Sequence, residues 1–320
     1  MLGVLWRGKE PLAVLWGAVK IVCRNYGSWS HNLDFDVVVV GGGHAGIEAA
    51  AAASRVGSRV VLITQKLSTI GEMSCNPSFG GIGKGHLMRE IDALDGLCAK
   101  ICDKSAIQFR VLNRSKGPAV WGIRAQIDRD MYKKNMQDVV SSTPGLEMME
   151  DSVEDIMLQP SSSCQRVAGV HLASGKSLKC KAVVITTGTF LNGKIYIGLE
   201  SFPAGRRGDA PSIALASVLD DAGFLLRRLK TGTPPRIDER TVDFRYLERQ
   251  FGDKPPIPFS FLNLKDGFQC ERQVPCFLTQ TNAATHKIVA DNLHLNRHIL
   301  EEVTGPRSDS VTGIFYCISL

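Results

Sequence analysis

No two of the chain's nine cysteines (23, 75, 98, 102, 164, 180, 270, 276 and 317) stand at C-x-x-C spacing. This argues against a zinc framework and against a thioredoxin-type redox pair, and no metal site is expected. An odd number of thiols at irregular spacing suits a reducing compartment. Cys98 and Cys102, four apart on one predicted helix face, read as buried free thiols. Acidic residues are scarce in residues 1–33, where only Glu10 faces Arg7, Lys9, Lys20 and Arg24. The apolar run Pro11 to Val19 is too short to span a bilayer, and no clean apolar core with a small-residue cleavage site follows it. An acid-poor, basic, amphipathic start predicts a mitochondrial transit peptide rather than a secretory signal. Nor is there a Walker A loop, because Gly85 follows Lys84 where Ser or Thr is required.

What remains is ordinary for a globular protein: 44% hydrophobic and 22% charged residues in a chain of 320, with length enough for one large or two smaller domains. A net charge of +6 leans only mildly toward polyanions.

The informative stretch is Asp34 to Thr64. Phe35-Asp36-Val37-Val38-Val39-Val40 reads as a buried parallel strand. It runs into Gly41-Gly42-Gly43-His44-Ala45-Gly46, which fits G-x-G-x-x-G at Gly41, Gly43 and Gly46. Gly41 is expected to make the tight turn, Gly43 to let backbone approach a pyrophosphate, and Gly46 to let the helix pack close to the strand. The alanine-rich helix would then present its N-terminal N–H groups to the phosphates. A second strand, Arg59 to Thr64, completes the unit. One part of the fingerprint is missing: Thr64-Gln65-Lys66 stands where an acid ought to bond the ribose, and the first acid beyond is Glu72. Neutral groups or backbone are expected to hold that ribose.

Further along, Ile70 to His86 forms a glycine-rich loop in which Cys75 lies beside Lys84 and His86. A lowered pKa there would make Cys75 a nucleophile; a buried inert thiol is the competing reading. Leu87 to Cys102 has helical periodicity, with Asp92 and Asp95 expected on its exposed side. Arg124, Gln126, Asp128 and Arg129, with Trp121 nearby, read as phosphate contacts or as the start of a surface helix. Val153 to Val184 predicts an antiparallel meander, and Ala182 to Thr189 a second buried strand ending in Thr-Gly. Ile213 to Gly223 reads as a helix, Lys230 to Arg236 as a basic extended segment, and Pro255 to Pro258 as irregular.

Together these strings resemble the GidA/MnmG family, the flavin subunit of an enzyme that modifies the wobble uridine of certain tRNAs, and its mitochondrial members above all. The resemblance runs from about Asp34 to Arg307. It is carried by the 41–46 loop, Ser-Cys-Asn-Pro at 74–77, Gly-Gly-Ile-Gly-Lys-Gly-His at 80–86 and Lys-Gly-Pro-Ala-Val at 116–120. Arg-Ala-Gln-Ile-Asp at 124–128 and Arg-Leu-Lys-Thr-Gly-Thr-Pro-Pro-Arg at 228–236 extend it. It implies an α/β, Rossmann-like FAD-binding fold of the two-dinucleotide-binding type, with a β-rich crossover and an inserted α/β region. The implied organisation is a transit peptide (1–33), an FAD-binding domain (34–226), an inserted NADH-related domain (227–307) and a divergent tail (308–320). FAD is implied at Gly41, Gly42, Gly43, His44, Ala45 and Gly46, with further contacts at Val153 and Ser212. NADH is implied as reductant, and methylene-tetrahydrofolate as one-carbon donor, held by a GTPase partner. Cys75 matches one of two functional cysteines, and Arg124, Lys230 and Arg236 are implied tRNA or phosphate contacts. A homodimer in the mitochondrial matrix is the implied assembly.

The chain also departs from the family. After Gly305-Pro306-Arg307 the family has Tyr-Cys-Pro-Ser, whereas this sequence has Ser308-Asp309-Ser310-Val311, so Asp309 stands at the second cysteine's place. Cys276 matches a different family position. The C-terminal half of the family fold is absent from the 320 residues. Two other readings follow: a catalytically inactive truncated form, or a generic flavin-dependent oxidoreductase. The second leaves the 74–86 and 228–236 strings unexplained.

Overall fold

A computed structural model describes residues 33–74, 76–160, 165–205, 208–226, 237–264, 268–270 and 273–297, together with the backbone of Cys317–Ile318. In chain order its elements are β1 (Phe35–Val40), α1 (His44–Arg55), β2 (Val60–Thr64), β3 (Ser78–Gly80), α2 (Lys84–Ala93) and α3 (Cys98–Ser105). Next come β4 (Ala106–Leu112), β5 (Gly122–Ile127), α4 (Arg129–Ser141), β6 (Leu146–Glu150), β7 (Val153–Pro160), β8 (Gln165–Leu172) and β9 (Ser177–Ile185). The last are β10 (Lys194–Ile197), β11 (Glu200–Pro203), α5 (Ala214–Asp221), β12 (Glu248–Gln250), α6 (Phe261–Leu264), β13 (Cys276–Leu278) and α7 (Ala283–Asp291). The chain divides into two compact units, one of residues 1–70, 140–231 and 291–307, the other of 71–139, 232–290 and 308–320.

The first unit is built on a six-stranded sheet of order β6-β2-β1-β9-β8-β7. β1 runs parallel to β2 and β9, with Val39 facing Leu62 on one side and Val184 on the other, and β2 runs parallel to β6. β7, β8 and β9 form the expected antiparallel meander. Parallel strands must be covered on both faces, which is why β1 and β2 are almost uninterrupted valine, leucine and isoleucine. Val38, Val39, Ile47, Ala50 and Val60 to Leu62 are fully buried. Val38, Val40, Val61, Ile63 and Val183 share one core cluster with Val153, Val170, Leu172, Leu215 and Leu219.

The second unit carries an antiparallel sheet of order β3-β5-β4. Leu87 to Cys102 is not one helix. α2 closes where Asp95 takes φ +65° and the Gly96 N–H reaches back to the Ile91 carbonyl, a left-handed helix end after which α3 begins. Asp92, expected on the exposed side, is buried instead and accepts the Phe261 N–H at 2.8 Å. Asp103, also buried, accepts from Phe259 N at 2.7 Å, Ser260 N at 2.9 Å and Asn263 Nδ2 at 2.7 Å. Arg89 donates to the Pro258 carbonyl at 2.9 Å and stacks over the Phe261 ring at 4.4 Å. The 258–263 segment, which runs into α6, is thus fastened to α2 and α3 by carboxylates that satisfy its backbone. Arg124 and Gln126 lie on β5 rather than on a helix. α4 starts only at Arg129, with Asp128 Oδ1 accepting from Met131 N at 3.0 Å.

Candidate dinucleotide-binding site

β1 delivers its backbone to an elbow in which each glycine meets a different constraint. Gly41 has φ +110°, and a Cβ there would lie 2.6 Å from the Thr186 carbonyl oxygen. Gly42 would meet Ile70 Cγ1 at 3.0 Å and Thr64 Oγ1 at 3.1 Å. A Cβ on Gly46 would overlap the Gly41 carbonyl oxygen and stand 2.7 Å from Thr186 Oγ1. Gly43, which precedes α1 with φ −79°, is different: it is exposed, and a Cβ there would meet nothing within 4 Å. No side chain caps α1, and no acid lies in its first turn. The positive end of the helix dipole is therefore not answered by a cap or an acid of its own first turn.

Thr186, directly after β9, locks the elbow. Its N–H and Oγ1 both donate to the Val40 carbonyl at 2.8 Å, and Oγ1 also reaches the Gly41 carbonyl at 3.2 Å. His44, at the first position of α1, is half-buried, and burial pulls its imidazole down to about 4, so it is neutral at pH 7. Ala45 is exposed. Val153 opens β7, is buried, and shares the core cluster with Val40 and Leu191. Leu191 is the bridge partner of half-buried Ser212, whose carbonyl accepts the Asn192 N–H at 2.8 Å.

At the tip of β2, where the acid is missing from the sequence, Lys66 Nζ pairs with Asp209 Oδ1 at 2.8 Å. Glu150, at the end of β6, accepts the Leu67 N–H at 2.8 Å. Two carboxylates thus reach this corner from strands and loops far away in the chain. Local sequence carried no signal of either: the pairing of β6 with β2 brings Glu150 there, and the loop between β11 and α5 brings Asp209.

Arg124 lies on β5 of the second unit. Cys75, Lys230, Arg236 and Asp309 lie outside the described residues. Among those described, Cys98, Cys102, Cys180, Cys270 and Cys276 are free. Burial drives the Cys180 thiol up to about 12, which rules it out as a thiolate near neutral pH. Cys276 is buried, its Sγ 3.4 Å from Gln108 Oε1. Among the described residues no group of His, Cys, Asp and Glu is placed to hold a metal, and no helix is long and apolar enough to cross a membrane.

A parallel βαβ unit with a glycine elbow at the N-terminus of its helix, in a sheet with an antiparallel crossover, defines a Rossmann-type dinucleotide-binding protein. Within that class the chain belongs to the family of glucose inhibited division protein A, whose profile matches residues 36–312. It is 58% identical over 279 residues to the mitochondrial 5-taurinomethyluridine tRNA synthase subunit of Mus musculus, covering 85% of this chain and 41% of that protein. It is 54% identical over 260 residues to the tRNA uridine 5-carboxymethylaminomethyl modification enzyme of Granulibacter bethesdensis, covering 81% and 41% of the two chains. The crystal structure of Aquifex aeolicus GidA superposes with a TM-score of 0.78 at 46% identity, covering 82% of this chain and 43% of that one. The chain thus spans about two-fifths of the length of the relatives it matches.

Proposed function

We propose that the chain is the cofactor-binding part of an FAD-dependent enzyme that modifies C5 of the wobble uridine in mitochondrial tRNAs. The observation that carries this reading is the elbow at 41–46 inside a family match that spans residues 36–312, with relatives whose names specify tRNA uridine modification. The residues fit the cofactor. Gly43 leaves open space against the uncapped start of α1, and Gly41, Gly46 and Thr186 hold that opening in place.

In this reading Gly41 to Gly46 bind the FAD diphosphate, with Val153 and Ser212 as further contacts. Bound FAD supplies hydride transfer, with NADH as reductant and methylene-tetrahydrofolate as one-carbon donor. Neutral His44 sits at the helix start and offers one donor and one acceptor nitrogen without adding charge. Cys75 adds its thiolate to C6 of the uracil, which moves electron density to C5 and makes that carbon the nucleophile. Arg124, Lys230 and Arg236 contact phosphates. A GTPase partner, a homodimer and a matrix location complete the proposal.

The test has two readouts. The purified chain should carry or take up FAD, seen as a bound-flavin absorbance band, and should restore the modified uridine in mitochondrial tRNA of cells lacking the enzyme. A colourless protein that takes up no FAD on titration refutes the reading. A second reading, a chain that binds FAD without modifying tRNA, is favoured by Asp309 at the second cysteine's place. Retained flavin with unmodified tRNA selects it, and a Cys75→Ser variant indistinguishable from the parent in a modifying protein removes the thiolate role.

A further inference from the structure

The register of the second unit's sheet sets Arg110 of β4 directly opposite Arg124 of β5, and Gly80 of β3 opposite Arg124 on its other side. The neighbouring row on the same face is Gln108, Gln126 and Ser78. Facing residues on an antiparallel pair are close enough for like charges to destabilise the sheet. Proteins usually answer such a pair with a carboxylate, but no ion pair involves either arginine among the described residues. The carboxylate that reaches β4 is Asp253, and its Oδ2 is taken by Val111 N at 2.7 Å and Arg114 Nη2 at 2.9 Å.

The hydrogen bonding of the pair is equally incomplete. Arg124 Nη2 donates to Ser78 Oγ at 3.2 Å, and Arg110 Nη1 reaches the Phe251 carbonyl at 3.5 Å, the limit of a hydrogen bond. Both Nε atoms are buried and have no hydrogen-bond partner. Each residue as a whole is half-buried, neither sealed in the core nor fully in solvent. Two facing cations without a counter-ion among the described residues, their remaining Nη donors poorly used, call for one anion with several acceptor oxygens.

We propose that Arg110 and Arg124, with the Ser78 hydroxyl, form a site for a phosphate group. A tetrahedral phosphate has oxygens to spare for two guanidiniums, which bind it through charge-assisted and often bidentate hydrogen bonds. The phosphate comes from the backbone of the RNA substrate or from the diphosphate of the nicotinamide dinucleotide. The choice between those sources, like Arg124 as a phosphate contact, rests on the proposed function; its pairing with Arg110 and Ser78 rests on the register of the sheet.

The experiment compares thermal melts of the full chain with those of Arg110→Gln, Arg124→Gln and Arg124→Lys, in phosphate-free buffer and with inorganic phosphate at matched ionic strength. Without phosphate, Arg110→Gln should melt at or above the parent temperature, because repulsion is relieved. Phosphate should raise the parent's melting temperature beyond what chloride does, raise it less in Arg124→Lys, and leave both glutamine variants unmoved. No phosphate-specific shift in the parent, or a shift that survives in both glutamine variants, overturns the proposal. Two further arms identify the source. A drop of about 1 in the salt slope of tRNA binding by Arg124→Gln assigns the RNA backbone. A several-fold rise in KM for NADH with an unchanged salt slope assigns the dinucleotide. A phosphate shift with neither effect means an adventitious ion only and also overturns the proposal. A protein that binds no flavin defeats the proposed function and leaves the phosphate shift readable.

Discussion

Gly46→Ala and Gly43→Ala put the same methyl group three residues apart in one motif, and opposite outcomes are expected. At Gly46 the new Cβ would overlap the Gly41 carbonyl oxygen and stand 2.7 Å from Thr186 Oγ1. The first obstacle is backbone held at both ends: Gly41 N donates to the Ile63 carbonyl at 2.8 Å, and the Gly41 carbonyl accepts from Thr186 Oγ1 at 3.2 Å. Relief therefore requires α1 to move off β1. Overpacking of this kind costs about 1–3 kcal/mol, against at most about 1 kcal/mol gained from alanine's better helix propensity. A net loss of about 1–2 kcal/mol, near 3–6 °C in melting temperature, should follow.

At Gly43 there is nothing within 4 Å and φ is −79°, a value open to any residue. Gly43→Ala should change stability by less than about 0.5 kcal/mol. If FAD phosphates occupy the open space, its affinity for FAD should fall while its melting temperature without cofactor stays put. Urea titration of both apo variants, with flavin titration beside it, separates fold from ligand. Gly46→Ala as stable as the parent would show that α1 does not approach β1 this closely. Gly43→Ala with unchanged FAD affinity would remove Gly43 from the binding surface.

Two further outcomes are expected. Asp103→Ala strips the acceptor from Phe259 N, Ser260 N and Asn263 Nδ2; buried donors left unpaired should outweigh the relief of burying a carboxylate, for a loss of about 3 kcal/mol. Limited proteolysis should then cut first within 258–264, and cleavage beginning elsewhere would contradict the fastening role. His44 is held at about 4 by burial, below its ordinary 6.5, so the unfolded chain binds the extra proton first as pH drops. Stability should fall as pH goes from about 6.5 to about 4, and His44→Asn should flatten that part of the melting-temperature profile; an unchanged slope would place the titration in another group.

Local chemistry made the β1–elbow–α1–β2 unit legible, because strand, turn and helix signals there sit within thirty residues and agree. The meander and the free thiols Cys98 and Cys102 were legible for the same reason. Asp92 was misplaced because helical periodicity says which residues share a face, and not that a distant segment, here Phe261, will cover it. The break at Asp95 was missed because a non-glycine residue takes the left-handed turn. Arg124 and Gln126 read as phosphate contacts or the start of a surface helix, and the strand was missed because two polar residues at alternate positions are too few to fix a period. Glu150 reaches the tip of β2 through sheet order and Asp209 through the loop before α5, contacts between distant segments that no stretch of thirty residues encodes.

The same contrast separates residues the fold needs from residues it merely tolerates. Other arginines meet a carboxylate: Arg114 has Asp253 at 2.9 Å, Arg245 has Asp243 at 2.6 Å, and Arg59 has Asp36 at 3.7 Å. Gly41 and Gly46 have a backbone neighbour that forbids a side chain, and Gly42 is tightly enclosed by Ile70 and Thr64. Among the described residues, Gly43 and the pair Arg110 and Arg124 have no such internal reason: one keeps empty space open where alanine would fit, the others leave charge and donors unanswered. A chain that breaks its own rules at a few positions while obeying them around those positions is giving up stability there for something outside itself. In both places what is left open is positive, a helix start in one unit and two guanidiniums in the other, so both are suited to phosphate.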